Sequence, residues 1–148
     1  MKNSITNIGF TGTQIGMTEQ QKATVSKLIT ALNPYCVHHG DCIGADKDFH
    51  EIALSHGIDV FIHPPSNESK RAFCHPGFRF LPKPYLERNR DIVDETGILI
   101  ATPKNSLEEL RSGTWSTIRY AQKRYKAIII VMPDGSTKQE GMRFLVPI

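Results

Sequence analysis

The sequence predicts an α/β domain of three layers, with a mostly parallel sheet of five to six strands and helices on both faces. Three observations carry this. Short β-branched runs alternate with amphipathic stretches along the chain. The runs "ILIA" and "AIIIVM" are apolar throughout, as in strands buried on both faces. Strands separated by helices pair in parallel through right-handed crossovers. No repeat or low-complexity linker interrupts the pattern, so residues 1–148 read as one domain.

Residues 5–10, "ITNIGF", form the first expected strand. "TGTQIGM" follows as a loop of small residues, and Thr18-Glu19-Gln20-Gln21 has the spacing of a capping box, so a helix starts at Thr18. Val25, Leu28, Ile29 and Leu32 recur at helical spacing until Asn33-Pro34 ends it. "YCVHH" is the second strand and "GDCIGAD" a glycine-containing turn. Ala45, Phe49, Ile52, Ala53 and His56 then share a helical face that Gly57 closes. "IDVFIH" is the third strand.

Residues 63–84 hold five prolines, four basic side chains and three phenylalanines, which fits neither a regular strand nor a regular helix. Such a long loop in a compact domain reads as a functional lid. Pro84 suits the first turn of "PYLERNRDIVDET", a helix that Gly97 ends. "ILIA" is the fourth strand. A polar connection, "TPKNSLEELRSG", leads to a helix from Thr114 to about Tyr125, with Thr114, Ile118, Ala121 and Tyr125 as its inner stripe. "AIIIVM" is the fifth strand, and "PDGSTKQEGMRFLVPI" returns as a short edge strand or ordered tail.

A chain of 148 residues is long enough to bury roughly 70% of its unfolded surface. A net charge of +3 suits an anionic ligand but falls short of the dense basic tract of a dedicated duplex binder, so nucleic acid is not indicated. The odd set Cys36, Cys42 and Cys74, with no leader-like start, points to a reduced cytoplasmic setting. No apolar run approaches the roughly 20 residues needed to span a bilayer.

In an open parallel sheet the ligand crevice lies beyond the carboxyl ends of the strands, where chain direction switches. That geometry gathers "TGTQIGM", with Thr11, Gly12, Thr13 and Gln14; "HGDCIGAD", with His39, Gly40, Asp41, Gly44 and Asp46; the lid; and "TPKNSLEELRSGT". Ser112-Gly113-Thr114 is the best phosphate candidate, since glycine admits close approach and the first-turn amides of the next helix point at bound oxygens. The same residues also fit an ordinary N-cap. Arg111 beside them adds a charge-assisted contact or is simply solvated. Gly40, Gly44 and Asp46 fit either an amide nest, with Asp46 reaching a ribose hydroxyl, or a tight strand-to-helix turn. Cys36, His38, His39 and Cys42 do not make a metal site, because alternation along a strand sends neighbours to opposite faces. No metal or cofactor is expected. Trp115 stacks on a base or fills the core. On the helix after Pro84, Asn89 shares the inner face with Tyr85, Ile92 and Val93; Arg90 flanks that face and Arg88 lies nearer the outer side.

The order "GFTGT", "HHGDCIGAD", "ERNRDIVDETGILIATP" and "RSGTWSTIRYA", over about residues 5–131, resembles the SLOG superfamily of Rossmann-like nucleotide-binding proteins, which includes the lonely-guy phosphoribohydrolases and DNA-processing protein A. With the strand ending at Pro103 aligned, the resemblance implies that Arg88 matches the hydrolases' site arginine. It likewise matches Gly113-Thr114 to the GT of their phosphate loop. It also implies a homodimer or higher homo-oligomer, with the lid or last helices at the interface. The position of the family's catalytic glutamate is Thr117 here, and threonine cannot activate water or stabilise an oxocarbenium-like state.

The leading expectation is therefore a sensor or sequestering protein for a nucleotide or nucleotide-derived signal. An N-glycosidase acting on a nucleoside 5'-monophosphate is the alternative, with Arg88 on the phosphate or leaving group and Asp46 or Glu87 as acid. Asp41 is a further acid near the cleft. Single-stranded nucleic-acid binding through the basic, aromatic lid is the third reading.

Overall fold

The computed structural model describes residues 6–143 and 146–148. A seven-stranded sheet runs in the order β4-β3-β2-β1-β5-β6-β7, parallel except for β7. In chain order the strands are β1 Asn7–Gly12, β2 Cys36–His39, β3 Asp59–Ile62, β4 Phe78–Arg79, β5 Ile98–Thr102, β6 Ala127–Val131 and β7 Thr137–Glu140. The helices are α1 Glu19–Leu32, α2 Ala45–Ser55, α3 Tyr85–Glu95 and α4 Gly113–Lys123. The chain builds outward from β1 to β4, then returns through α3 to lay β5 on the other side of β1. The carboxyl end of β1 is thus the switch point.

The strand count exceeds the expected five to six because β4 lies inside the proline-rich segment. Two residues are too few to show alternation, and tertiary contact makes them a strand. The Phe80 N–H donates to the Ile62 carbonyl at 2.9 Å, and Phe78 and Phe80 pack on Phe61. As an edge strand, β4 tolerates prolines around it. β7 is the expected edge strand; Phe144 and Leu145 of the expected tail lie outside the described residues. β1 begins at Asn7, with Ile5 outside the described residues, and extends through Thr11 and Gly12 because β5 continues the pairing to Thr102.

α1 starts as its capping box requires: the Thr18 side chain accepts from the Gln21 N–H, and the Gln21 side chain accepts from the Thr18 N–H at 2.9 Å. It ends at Asn33 in the left-handed region. Alternation along β5 and β6 feeds two separate cores. Ile100 and Ile129 join Val25, Leu28 and Phe49 from α1 and α2. Leu99, Ala101, Ile128 and Ile130 join Val93 of α3 with Trp115 and Ile118 of α4.

Two helix faces differ from expectation. On α2 the buried imidazole is His50, while His56 caps the C-terminus and is exposed. α4 stops at Lys123, leaving Tyr125 exposed at φ 56°. The Lys126 N–H donates to the Ala121 carbonyl and the Tyr125 N–H to that of Gln122, the bond pair of a Schellman motif with tyrosine where glycine is usual.

No described helix is long and apolar enough to cross a membrane. All three cysteines are free.

Candidate functional site

A cleft of about 550 Å³ opens at the switch point. One wall is the start of α4. The Ser112 hydroxyl accepts from the Trp115 N–H at 3.2 Å, which satisfies one first-turn donor. The amides of Gly113 and Thr114 have no acceptor among the described residues and lie at the cleft. A Cβ built at Gly113 meets nothing within 4 Å, so a side chain at this position would enter open space. Lys104 and Arg111 line the same cleft. Free amides, a helix dipole and two cations in open space form an anion-binding geometry.

A second part of the lining is built around Arg88. Its guanidinium donates to the Gly40 carbonyl, to the His63 carbonyl at 3.0 Å, to the Asn89 Oδ1 at 2.7 Å and to the Cys42 Sγ at 3.5 Å. Arg88 is buried rather than on the outer side of α3, because a long side chain leans along the helix toward the sheet edge. Gly40 leaves the room: a Cβ there would lie 2.5 Å from an Arg88 nitrogen. Asp46, on the first turn of α2, accepts from the Cys42 N–H at 3.0 Å. Burial pushes its carboxyl up to about 6, against the pull of the neighbouring Arg88. Burial also raises the Cys42 thiol, which therefore stays protonated at neutral pH.

Of the sequence candidates, Thr11, Gly12, Thr13, Gln14, Gly40, Asp46, Arg88, Asn89, Arg111, Ser112, Gly113 and Thr114 line this cleft. Six do not. Asp41 is fully buried under the segment expected to be a lid, where it accepts from Arg71 Nε at 3.0 Å and from the Cys74 N–H at 2.8 Å. It pins that segment in place rather than facing a ligand. His39 is fully buried, its Nδ1 accepting from the Asp41 N–H. Gly44, at φ 92°, packs on the Gln14 backbone so closely that only glycine fits, and so it joins the first two loops. Glu87 is exposed and outside the cleft. Arg90 lies over the Tyr120 ring at 5.4 Å, outside the cleft. Trp115 belongs to the core beside β5 and β6.

Phe10, Ile15, Cys42, Tyr85, Ile92, Lys104 and Glu109 line the cleft but were not among the expected site residues. Tyr85 and Ile92 were legible, since they share the helical face of Asn89. Lys104 and Glu109 sit in an irregular connection without periodicity. Thr117 turns away: its hydroxyl donates to the Gly113 carbonyl at 2.9 Å within its own helix.

The Cys36, His38, His39 and Cys42 group is not gathered. His38 faces His63 and His39 faces His50, as alternation requires. Two other sets bring ligand atoms within 4.8 Å of one another: His39, His50 and Cys74; and His38, His63 and Glu95.

No protein-family model matches the sequence, and no curated protein matches it. The fold is similar to that of the molybdenum cofactor binding protein from the phototrophic bacterium Rippkaea orientalis, with a TM-score of 0.67 and 20% identity over 86% of this chain and 76% of that one. At that identity the likeness establishes a mixed α/β fold with a mostly parallel seven-stranded sheet, and nothing about the ligand.

Proposed function

We propose that the chain is a Rossmann-like, three-layer protein that binds a nucleotide or nucleotide-derived molecule in the cleft at the switch point and acts as a sensor or sequestering protein. The observation that carries the reading is the pair of Gly113 and Thr114 amides, without an acceptor among the described residues, in a cleft that Lys104 and Arg111 also line. Phosphate oxygens suit those donors, and Asp46, which also lines the cleft, suits a ribose or base donor. The resemblance of the four loops to the SLOG superfamily supports the same reading. Calorimetry against nucleoside monophosphates, cyclic dinucleotides and ADP-ribose derivatives tests it, with the molybdenum cofactor included because the structural neighbour is described as binding it. At least one is expected to bind. Gly113→Asp, whose new carboxylate enters open space, should weaken that binding at least about 100-fold by placing negative charge at the anion site. Failure of the whole panel to bind, or full affinity in Gly113→Asp, sinks the reading.

The N-glycosidase reading is supported by Asp46, a cleft carboxyl raised to about 6 beside Arg88. It requires release of base or ribose 5-phosphate that disappears in Asp46→Asn. Thr117, bonded back to its own helix, and Glu87, outside the cleft, supply no second acid. Nucleic-acid binding through the lid is the weakest reading, since Phe80 stacks on His63 at 4.4 Å and Arg71 is paired with Asp41. A homodimer or higher homo-oligomer is part of the proposal, and sedimentation at micromolar concentration checks it.

A further inference from the structure

Arg88 also lines a second cavity, with His63, Asp91 and Glu95, and around it β2, β3 and α3 carry chemistry the proposed function does not use. β2 places His38 on the face opposite His39, and β3 ends directly before His63. His38 Nδ1 and His63 Nε2 lie 2.8 Å apart, and both residues are at most 5% exposed. Phe61 stacks on His38 at 4.9 Å and Phe80 on His63 at 4.4 Å, so both ring planes are set by packing. α3 presents Asp91 and Glu95 one turn apart, an i,i+4 pair of like charges that is unfavourable unless a cation offsets it. Lys83 pairs with Asp91 at 2.6 Å. Glu95 has no ion pair among the described residues. A ligand atom of each of His38, His63 and Glu95 falls within 4.8 Å of the others, and a cavity of about 260 Å³ reaches His63, Asp91 and Glu95.

We propose that His38 Nδ1, His63 Nε2 and the Glu95 carboxylate form a three-ligand site for a divalent transition-metal ion of the Zn²⁺ or Fe²⁺ type, with a further position open to the cavity. Two imidazoles and one carboxylate select a borderline ion over Mg²⁺ or Ca²⁺, which prefer oxygen alone. The proton arrangement allows it. His38 Nε2 lies 3.9 Å from Cys36 Sγ; with the ring proton on that side, Nδ1 keeps a free lone pair. His63 carries its proton on Nε2 when it donates to His38 and on Nδ1 when Nε2 ligates metal. Metal–nitrogen bonds of about 2.0–2.1 Å in a tetrahedral site set the two nitrogens about 3.3 Å apart, so the pair opens by roughly half an ångström.

The other set, His39, His50 and Cys74, is the poorer candidate. His39 Nδ1 is taken by the Asp41 N–H, which leaves the ring proton on Nε2, the atom that faces His50.

The test is calorimetric titration of chelator-stripped full chain with Zn²⁺ in a non-coordinating buffer at pH 7.5, with Co²⁺ as a visible-absorption probe of the ligand field. One ion per chain is expected, with imidazole and carboxylate ligation in the Co²⁺ spectrum. Glu95→Gln, at an exposed position, should weaken binding at least about 10- to 100-fold, and His63→Gln should abolish it. Absence of Zn²⁺ uptake, or wild-type affinity in either variant, overturns the site and assigns any bound ion to exposed imidazoles elsewhere. If His63→Gln does not fold, Glu95→Gln alone decides. None of these outcomes depends on whether the cleft binds a nucleotide.

Discussion

Asp41 shows how a residue type can be legible while its role is not. Its sequence context, a glycine-rich turn after a strand, suits a ligand contact. The structure turns it inward at φ 56°, into a left-handed conformation that aspartate tolerates, where it ties the residue 63–84 segment down. The Asp41 carbonyl adds a third tie, accepting from the Ala72 N–H at 2.8 Å. Arg71, with a side chain only 10% exposed, would be left without its counter-charge by Asp41→Asn. Breaking such a pair from one side costs about 3–5 kcal/mol, and urea unfolding should register a loss of that order. A loss under 1 kcal/mol would mean the segment is held by other contacts. Arg88 makes the complementary point: helical periodicity put it toward solvent, and only its reach across the sheet edge brings it to Gly40 and His63.

At the scale of elements, starts were easier to read than ends. The capping box of α1 is a local device: a hydroxyl and an amide exchange hydrogen bonds across four consecutive residues, so spacing alone reveals it. Thr18 also donates to the Pro133 carbonyl at 2.6 Å, which joins α1 to the turn after β6. Thr18→Ala should therefore cost about 1–2 kcal/mol, at the upper end for a lost cap; an unchanged unfolding midpoint would contradict this. The end of α4 was misread because the apolar spacing runs on to Tyr125 while the backbone reverses there. A non-glycine residue in the left-handed region costs roughly 1–2 kcal/mol, partly offset by glycine's greater unfolded entropy. Tyr125→Gly should accordingly stabilise the protein by about 0.5–1 kcal/mol, measured by thermal or urea unfolding. Destabilisation would show that the exposed ring makes contacts worth more than the backbone strain.

For the whole molecule, the enclosed imidazoles predict acid lability. Burial lowers His38 to about 4 and His63 to about 3, and holds His39 well below its ordinary value. The unfolded chain takes up protons on these rings below about pH 6.5, while the folded chain refuses them until pH 3–4, so stability is lost as pH falls through that window. Asp46 works the other way. Its folded value of about 6 exceeds the unfolded one, so the folded state gains a proton between about pH 6 and 4. Each tenfold difference in proton affinity is worth about 1.4 kcal/mol. With three imidazoles against one carboxyl the net is destabilising, and the unfolding temperature should fall steadily from pH 6.5 to 4. A flat profile would mean that these rings are not enclosed. The sequence by itself determined the α/β class, the strand-helix alternation, the start of α1 and a helix start at the Ser112-Gly113-Thr114 step, because all of these rest on contacts within a few residues. Tertiary structure alone decided β4, the burial of Asp41 and His39, the inward turn of Arg88 and the meeting of His38 with His63 and Glu95. Those depend on which strand lies beside which, and that is set by packing between segments far apart in the chain.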